Sequence, residues 1–299
     1  MSVLCMGEAL VDLIPQPDGS IRPQPGGGPW NTALALGRLG VATRFAWPIS
    51  RDRYGRLLLD PLAAAGVDVS LCPRSDRPTA RARIDLNSGD ASYRFDDENS
   101  AGRLFSPEEL PPLSPDCRAL VIGGISLAAE PCGSTVELFA TSAARRGIPL
   151  LLDPNIRPQA IQNEPKYRAR LDRLFALSHL VKLSAEDAAW LIPGIAAQDV
   201  ASRILARGPH IVVLTRGEQG ALALTPGHRL RAAAVPATVA DSIGAGDSFG
   251  AAFLAHLLET GSLDDPDAET LAAALALATK AAAVTVSRPG ADPPWADEL

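Results

Sequence analysis

Short apolar runs alternate with longer amphipathic segments along most of the sequence. The runs at residues 3–6, 119–122, 150–152, 180–183 and 211–214 are apolar almost throughout. Runs of this kind are typical of parallel strands covered on both faces, because helices connect such strands and pack on either side of the sheet. The sequence therefore predicts an α/β protein built on a doubly wound, mainly parallel sheet flanked by helices.

One segment departs from that alternation and predicts a second structural unit. Residues 79–95 alternate polar and apolar side chains on either side of Asn-Ser-Gly-Asp at 87–90, which is typical of a hairpin with one face in solvent. Such a hairpin in an α/β chain is most simply a small β lid that excludes water from a cleft, although an edge hairpin without function has the same pattern. The core is expected to comprise residues 1–12, 26–78 and 104–299, and the lid residues 13–25 and 79–103.

The charge balance and the cysteines argue against several classes of protein. The formal net charge is −6, which disfavours nucleic acid or an anionic membrane as the partner. The four cysteines are far apart and lack the spacing of a zinc site or a disulfide framework, so we expect buried free thiols. No apolar stretch reaches the length needed to span a bilayer, and residues 1–7 do not resemble a signal peptide. We therefore predict a cytoplasmic protein.

A turn of small residues near the end of the chain predicts an anion-binding site. Residues 241–247 read Asp-Ser-Ile-Gly-Ala-Gly-Asp, after a strand-like stretch and before an amphipathic helix. Free amides at Gly244, Ala245 and Gly246, together with the helix dipole, would form a cradle for anionic oxygen. Asp247 at the helix start would lie beside a reacting phosphate and could accept a proton from a hydroxyl. A plain helix start with a capping acid has the same residues.

Two further segments carry polar groups suited to a sugar. Residues 26–31 read Gly-Gly-Gly-Pro-Trp-Asn before an amphipathic helix. The glycines permit close approach, and Asn31 offers donors and an acceptor for neighbouring hydroxyls. Asn155 and Arg157 follow the run at 150–152, at the carboxyl end where α/β sheets present ligands. Taken alone, the first segment is an ordinary N-cap, and the second is a loop whose side chains satisfy nearby groups.

The turn at residues 241–247 closely resembles the C-terminal signature of the ribokinase-like, or PfkB-type, carbohydrate kinases, normally Asp-Thr-x-Gly-Ala-Gly-Asp. Residues 26–31 resemble the family's N-terminal Gly-Gly-x-x-x-Asn, and the resemblance covers essentially the whole chain. It implies a ribokinase-like fold, ATP as the phosphoryl donor, Asp247 as the catalytic base and the amides of Gly244, Ala245, Gly246 and Asp247 as an anion hole. The sugar-binding residues that it implies are Asp12, Gly26, Gly27, Gly28, Asn31, Asn155 and Arg157.

The nucleotide side of the site has weaker motifs. Residues 215–220 resemble the family's Thr-x-Gly-x-x-Gly, although an ordinary β-turn has the same residues. Residues 182–187 resemble the segment that usually carries Asn-x-x-Glu and positions magnesium, with Ser184 and Asp187 in place of the Asn and Glu. Residues 281–291 resemble the closing segment beside the adenine and a monovalent cation such as K⁺. The resemblance implies Lys182, Ser184, Thr215, Gly217 and Gly220 for ATP, and Asp187, directly or through water, for Mg²⁺.

The choice of sugar depends on residues 153–157, which resemble the Asp-x-Asn-x-Arg of the fructokinase and 2-keto-3-deoxygluconate kinase branch. In the lid, Asp96 and Asp97 stand where that branch often has an aromatic-Tyr-Arg run, which argues against an acidic sugar. The expectation is phosphorylation of a ketohexose, with fructose as the first candidate. Alternatives are a 2-keto-3-deoxygluconate kinase, a ribokinase, a nucleoside kinase, or a sugar-binding regulator without catalysis, against which an intact Asp247 counts. A homodimer through the lid is also expected.

Overall fold

The computed structural model describes residues 1–16, 18–85 and 92–299. The predicted turn at 87–90 lies outside these residues. The described strands form a main sheet of eight strands, a smaller sheet of four and one separate pair. In chain order they are β1 (Ser2–Met6), β2 (Leu10–Pro15), β3 (Ile21–Gly26), β4 (Thr43–Ala46), β5 (Ile49–Ser50), β6 (Arg74–Ser75), β7 (Ala80–Asp85), β8 (Ser92–Asp96), β9 (Cys117–Gly123), β10 (Leu150–Asp153), β11 (Leu180–Ser184), β12 (Ile211–Thr215), β13 (Ala221–Leu224) and β14 (Arg229–Ala232).

The order of the main sheet is β14-β13-β12-β11-β10-β9-β1-β4. Strands β4, β1, β9, β10, β11 and β12 are parallel to one another, and β13 and β14 are antiparallel additions beside β12. The chain moves one way across the sheet from β1 to β4 and the other way from β9 to β12. The direction therefore reverses between β1 and β9, and ligands of doubly wound sheets bind outside the carboxyl ends of the strands at such a reversal.

Helices flank the main sheet. They are α1 (Gly28–Arg38), α2 (Arg53–Ala64), α3 (Cys132–Arg145), α4 (Glu164–Leu177), α5 (Ala185–Leu191), α6 (Ala197–Leu205), α7 (Ala245–Thr260) and α8 (Ala268–Val286). Because crossovers between parallel strands are right-handed, the opposite directions of travel place α1 on one face and the helices between β9 and β12 on the other. Helix α7 packs between α1 and α8. The predicted doubly wound α/β fold is confirmed.

Burial explains why the central strands lack alternating polarity. Ile211, Val212, Val213 and Leu214 of β12 are fully buried, because helices cover both faces of the strand. Edge strand β14, in contrast, alternates between exposed and half-buried side chains. The four cysteines are free as predicted, and three of them are buried in this core.

The stretch before the glycine-rich turn, which is strand-like in sequence, is a strand only as far as Ala232. Residues 233–239 form no regular element. Their backbone does not join the sheet, and Pro236 has no N–H with which to extend β14. The apolar side chains of this stretch instead line a cleft described below.

Helix α8 corrects the prediction that no apolar stretch is long enough to span a bilayer. Its 19 residues are long and apolar enough by length and composition alone. In the fold the helix packs against α7, β13 and β14, and Leu271, Leu275 and Ala278 are buried there. Packing in the core therefore explains its apolar composition. Length and hydropathy alone do not distinguish such a core helix from a membrane-spanning one.

The smaller sheet has the order β3-β2-β7-β8. Strand β2 is antiparallel to β3 and parallel to β7, and β7 is antiparallel to β8. The sheet lies against the loop after α8, because a methyl group placed on Gly290 would collide with the side-chain amide of Gln24 in β3. It therefore stands beside the carboxyl ends of the main strands.

Arg170 in α4 is a buried cation that connects α4 to α3 and to the short helical turn after β9. Its side chain is 1% exposed and contacts the carboxylates of Glu130 and Glu137. It also donates to the carbonyl oxygen of Leu127, 2.5 Å away, in the short helical turn that follows β9 at the point of strand reversal. Arg170 therefore holds this part of the carboxyl edge in place.

We predict that Arg170→Met lowers the free energy of unfolding by about 3 kcal/mol, because it leaves the buried carbonyl oxygen of Leu127 and the half-buried carboxylates of Glu130 and Glu137 without this partner. Arg173→Met is the matched control. Arg173 also contacts Glu137 but is 55% exposed, and loss of an exposed pair costs less than about 1 kcal/mol. Urea denaturation of both variants measures the difference. Equal losses would show that Arg170 is no more important than a surface ion pair.

Candidate active site

A buried hydrogen bond joins the two segments that the sequence assigns to the phosphate and to the sugar. Asp247 is the third residue of α7, and Asn31 lies in the first turn of α1. Asn31 Nδ2 donates to Asp247 Oδ2 over 2.7 Å, and both side chains are buried. The starts of α1 and α7 therefore meet at the carboxyl edge of the main sheet.

The carboxyl group of Asp247 is poised to titrate close to neutrality. Burial raises the pKa of Asp247 to about 6, and the negative charge of Asp153 acts in the same direction. Lys182 and the hydrogen bond from Asn31 oppose this rise. At pH 7 the group is therefore ionised, and it can accept a proton from a neighbouring hydroxyl.

The glycine-rich turn lies directly before Asp247 at the start of α7. Gly244 precedes α7 in a left-handed conformation with φ 77°, and a methyl group there would press against Ala291. Within the described part of the chain, the amides of Gly246 and Asp247 have no hydrogen-bond partner, while that of Ala245 makes a long contact of 3.4 Å with Ser242. Free amides at a helix N-terminus bind anionic oxygen.

Lys182 of β11 brings a buried cation to the same place. Its Nζ lies 2.7 Å from Asp153 Oδ2, and a methyl group on Gly246 would come within 2.9 Å of that Nζ. Burial alone would lower the pKa of Lys182, but the neighbouring carboxylates, Asp153 first, outweigh it and hold the pKa above its usual value. Lys182 therefore remains an ammonium group directly behind the glycine turn.

Asp153, to which the sequence analysis gave no role, is part of this cluster. It ends β10, and its Oδ2 is paired with Lys182. Its Oδ1 is buried and has no hydrogen-bond partner within the described residues. An acid at the end of a buried strand, at the head of the Asp-Pro-Asn-Ile-Arg run, was the signal that could have identified it.

The space above Gly28 is where the predicted sugar residues converge on Asp247. A methyl group on Gly28 would lie 3.1 Å from Asn155 Nδ2 and 3.6 Å from Asp247 Oδ1. Asn155 has a positive φ of 42°, a conformation that non-glycine residues adopt rarely and mostly at functional sites. The missing side chain of Gly28 therefore leaves a small space between an amide donor and the carboxylate.

Glu8 supports this space from below and was missed by the sequence analysis. Its carboxylate accepts hydrogen bonds from the amides of Gly28 and Ser126, each 3.1 Å long. Burial raises the pKa of Glu8 to about 7, and these hydrogen bonds limit the rise. Because Gly28 begins α1 and Ser126 follows β9, Glu8 joins the two sides of the strand reversal. Its place directly after β1 was the available signal.

Asp12 lies on β2 of the smaller sheet, beside Gly26. Burial, and next the charge of Asp241, raise the pKa of Asp12 to about 6. A methyl group on Gly26 would stand 2.8 Å from Asp12 Oδ2, and one on Gly27 would collide with the backbone of Glu8. The glycines thus permit β3 to pass close to the acid.

Arg157 is an exposed residue at the rim of this cluster. Its guanidinium donates to the carbonyl oxygen of Ile156 over 3.0 Å. Its charge lowers the pKa values of both Asp247 and Asp153, although other influences on each are larger. Arg157 therefore lies within electrostatic range of the buried acids.

Asp187 accepts two backbone hydrogen bonds at the start of α5. Its Oδ1 accepts from the amide of Ile156 over 2.6 Å, and its Oδ2 accepts from the amide of Ser184 over 2.8 Å. Ser184 in turn caps α5 through the amide of Asp187, which completes a capping box. Both residues therefore stabilise the start of α5 and the loop after β10, and the role of Asp187 towards Mg²⁺ stays a prediction.

An apolar cleft of about 580 Å³ opens on the other side of the glycine turn. It brings together three of the residues predicted for ATP, Thr215, Gly217 and Gly220, with Gly246 at its inner end. Lys182 and Ser184 are not part of its lining. Small side chains from residues 233–239 and from α8 form its walls. A ligand with a flat ring and an anionic group can therefore enter with the ring in the cleft and the anionic group towards the turn.

The fold and the site define a carbohydrate kinase. The sequence matches the pfkB family of carbohydrate kinases over residues 1–298, and the chain belongs to that family. It is 42% identical over 260 residues to a fructokinase of Rhizobium leguminosarum bv. trifolii, covering 85% of this chain and 79% of that one.

Two solved structures extend the comparison. The fructokinase of Xylella fastidiosa with bound ATP has a TM-score of 0.90 and 27% identity, covering 97% of this chain and 93% of that one. The fructokinase of Vibrio cholerae O395, in a form with fructose, ADP and calcium ion bound, has a TM-score of 0.85 and 26% identity, covering 97% and 94%. The predicted family and ribokinase-like fold are therefore confirmed.

We predict that Asp187→Asn lowers the free energy of unfolding by about 1–3 kcal/mol, because an amide NH₂ would replace an oxygen that accepts a backbone N–H. The Mg²⁺ concentration that gives half-maximal activity should not change. Glu186→Gln is the control, since Glu186 is its exposed neighbour. Denaturation and a Mg²⁺ titration separate the two roles. A tenfold weaker response to Mg²⁺ at unchanged stability would restore Asp187 as a metal ligand.

Proposed function

We propose that the chain transfers the γ-phosphoryl group of ATP to a hydroxyl of a ketohexose, with fructose as the substrate. The observation that carries the proposal is the meeting of Asp247 with Asn31 and the free amides of the glycine turn at one point. The enzyme class, a phosphotransferase with an alcohol acceptor, follows from the family. Fructose is supported by the names of the three relatives reported above, each of which is a fructokinase, and by the fructose in the Vibrio cholerae structure.

The geometry supports a division of roles among the residues. A sugar hydroxyl above Gly28 would contact Asn155 Nδ2 and Asp247 Oδ1. Asp247 would take its proton as the sugar oxygen bonds to the γ-phosphorus and the bond from that phosphorus to the bridging oxygen breaks, with ADP as the leaving group. Asn31 holds Asp247 in place by donating a hydrogen bond to the other carboxylate oxygen, Asp247 Oδ2. The amides of Gly246 and Asp247 stabilise the charge on the transferred group. Phosphoryl transfer needs little beyond such positioning and charge stabilisation.

The remaining sugar contacts are assigned to residues on both sides of the strand reversal. Asp12 and the three glycines at 26–28 form the side next to the smaller sheet, and Asn155 and Arg157 form the other. Arg157, exposed at the rim, can reach an incoming phosphate or a sugar hydroxyl, because among the described residues its side chain hydrogen-bonds only to its own neighbour. Glu8 acts through Gly28, which it positions.

ATP is assigned to the apolar cleft, with its phosphates on the glycine turn. Thr215, Gly217 and Gly220 line this cleft and are assigned to the adenosine part of ATP. Lys182 places a positive charge behind Gly246. Mg²⁺ prefers carboxylate and water oxygens, and the unpartnered Oδ1 of Asp153 fits that preference. Bound there with ATP, the metal would neutralise phosphate charge. A monovalent cation such as K⁺ near residues 281–291 stays a prediction.

The smaller sheet is proposed to act as a lid, within the predicted boundaries 13–25 and 79–103. Its support is the contact between Gln24 and the loop at Gly290, which lies beside the glycine turn because Asp241 accepts hydrogen bonds from the amides of Ile243 and Gly290. Closure would exclude water from ATP. A homodimer through this sheet and a cytoplasmic location also stay predictions.

We predict that Asp247→Asn lowers kcat about 10²–10⁴-fold with little change in ATP affinity, because an amide cannot accept the sugar proton. The wild-type kcat/KM should fall as the pH drops through about 6, since protonation removes the base. Glu259→Gln, an exposed position on the same helix, is the control. Steady-state kinetics and ATP binding measure both effects. A near-normal kcat in Asp247→Asn would remove the catalytic role.

The substrate is tested by a panel of acceptors. We predict that ATP consumption with fructose exceeds that with ribose, 2-keto-3-deoxygluconate and a nucleoside by at least about 100-fold in kcat/KM, because hydrogen-bonding sites reject acceptors that leave their buried polar groups unpaired. Formation of ADP and sugar phosphate is measured in parallel. A preference for another acceptor would change the substrate but retain the kinase. If the protein binds sugar but turns over none of the acceptors, the result would favour a sugar-binding regulator without catalysis.

A further inference from the structure

Two histidines and an aspartate meet at the end of the main sheet that is remote from the candidate active site. His179 directly precedes β11 and His210 directly precedes β12, so both lie at the amino ends of their strands. Asp264 lies in the connection between α7 and α8. Each residue offers one potential ligand atom, and these atoms lie within 4.8 Å of one another. The candidate active site is at the opposite, carboxyl edge.

The backbone holds the two imidazoles side by side. Strands β11 and β12 are parallel, with Leu180 paired to Ile211, so the residues before them are also neighbours. The amides of His210 and Ile211 both donate to the carbonyl oxygen of His179, each over 2.9 Å. The ring centroids are 4.8 Å apart. This spacing is thus set by the sheet rather than by a chance contact of surface side chains.

Asp264 completes a triangle of ligand atoms. Its Oδ1 lies 3.9 Å from His179 Nε2 and 3.9 Å from His210 Nδ1. Zinc bound tetrahedrally with bonds of about 2.0–2.2 Å needs ligand atoms roughly 3.4 Å apart. The Asp264 and His210 side chains are 78% and 45% exposed, so both can turn towards His179 to close these differences.

We propose that His179, His210 and Asp264 form a peripheral binding site for a first-row divalent cation of the zinc type, with water as the fourth ligand. Imidazole nitrogen is a ligand of zinc, nickel and copper, whereas magnesium and calcium prefer an all-oxygen set. The ligands therefore select against the cation that accompanies ATP.

The surroundings of His179 set the expected strength of binding. Burial, and next the neighbouring His210, hold the pKa of His179 below its usual value, so its ring is neutral and offers a lone pair at pH 7. Its Nδ1 is buried and has no hydrogen-bond partner within the described residues. Ligating imidazoles normally donate their second N–H to an acceptor, and loss of that support weakens metal affinity about 10–100-fold. We expect a moderate affinity, below that of a structural zinc site.

A bound ion would connect the α7–α8 turn to the start of β11 and β12. Helix α7 carries Asp247 at its other end, and α8 lines the apolar cleft. The ion would therefore fix the far end of the helix pair that forms one side of the candidate active site. Its first effect is a rise in melting temperature with ion concentration, because ligands of the native state stabilise it by mass action.

The test is a titration of the whole protein with Zn²⁺ against a chromophoric chelator, in excess Mg²⁺ and without nucleotide. One Zn²⁺ should bind per chain and raise the melting temperature. His210→Gln and Asp264→Asn should each weaken binding at least about tenfold, as expected when a ligand is lost. The chain's other histidines and the next acid supply matched controls, His256→Gln and Asp265→Asn, which should bind like wild type.

A Co²⁺ spectrum gives a second measurement that does not depend on stability. Intense visible absorption, lost in Asp264→Asn but kept in Asp265→Asn, would support a tetrahedral site with these ligands. Because Asp264 is exposed, its substitution leaves the fold unaffected. Wild-type Zn²⁺ affinity in both His210→Gln and Asp264→Asn, or equal losses in the controls, would overturn the proposal. Absence of Zn²⁺ binding to wild type would overturn it as well.

Discussion

The hydrogen bond between Asn31 and Asp247 is the contact on which the arrangement of the site depends. It is 2.7 Å long and buried, and it joins residues 216 positions apart in the sequence. Helix α1 brings the sugar-side glycines and α7 brings the amides of the phosphate turn, so this bond sets the distance between acceptor and donor. Because the bond occupies Asp247 Oδ2, Oδ1 is the oxygen left towards the space above Gly28.

Buried carboxylates dominate the electrostatics around that bond. Burial raises the pKa values of Asp247 and Asp12 to about 6 and that of Glu8 to about 7. Lys182 offsets part of this charge through its pairing with Asp153. A cluster of this kind is costly to bury unless it binds cations or hydrogen-bond donors. Sugar hydroxyls, a metal and the free amides of the turn are the groups that the proposed reaction would supply to it.

The sequence was sufficient for the parts of the molecule that have local signatures. Buried parallel strands appear as apolar runs, and the glycine turn has its own short motif, so the sheet and the turn were predictable. Asp153 and Glu8 had only a weak local signal, an acid that ends or follows a buried strand, and their roles depend on contacts between distant segments, which no local pattern records. Asp187 is a different case, because Ser-x-x-Asp at a helix start is a capping-box pattern as well as being similar to a metal-positioning segment, and the structure shows only the capping box. The sequence did not predict that residues 233–239 line the cleft, because this depends on where β14 ends, at Ala232.

The central claim is that one buried carboxylate and one turn of amides act on the same sugar hydroxyl. A crystal structure of the complex with fructose and a non-hydrolysable ATP analogue measures this most directly. The account predicts a fructose hydroxyl oxygen about 2.6–3.2 Å from an Asp247 carboxylate oxygen, the distance expected for a general base, with the terminal phosphate on the amides of Gly246 and Asp247. A fructose whose hydroxyls all lie beyond one bridging water from Asp247, or a terminal phosphate bound away from these amides, would contradict it.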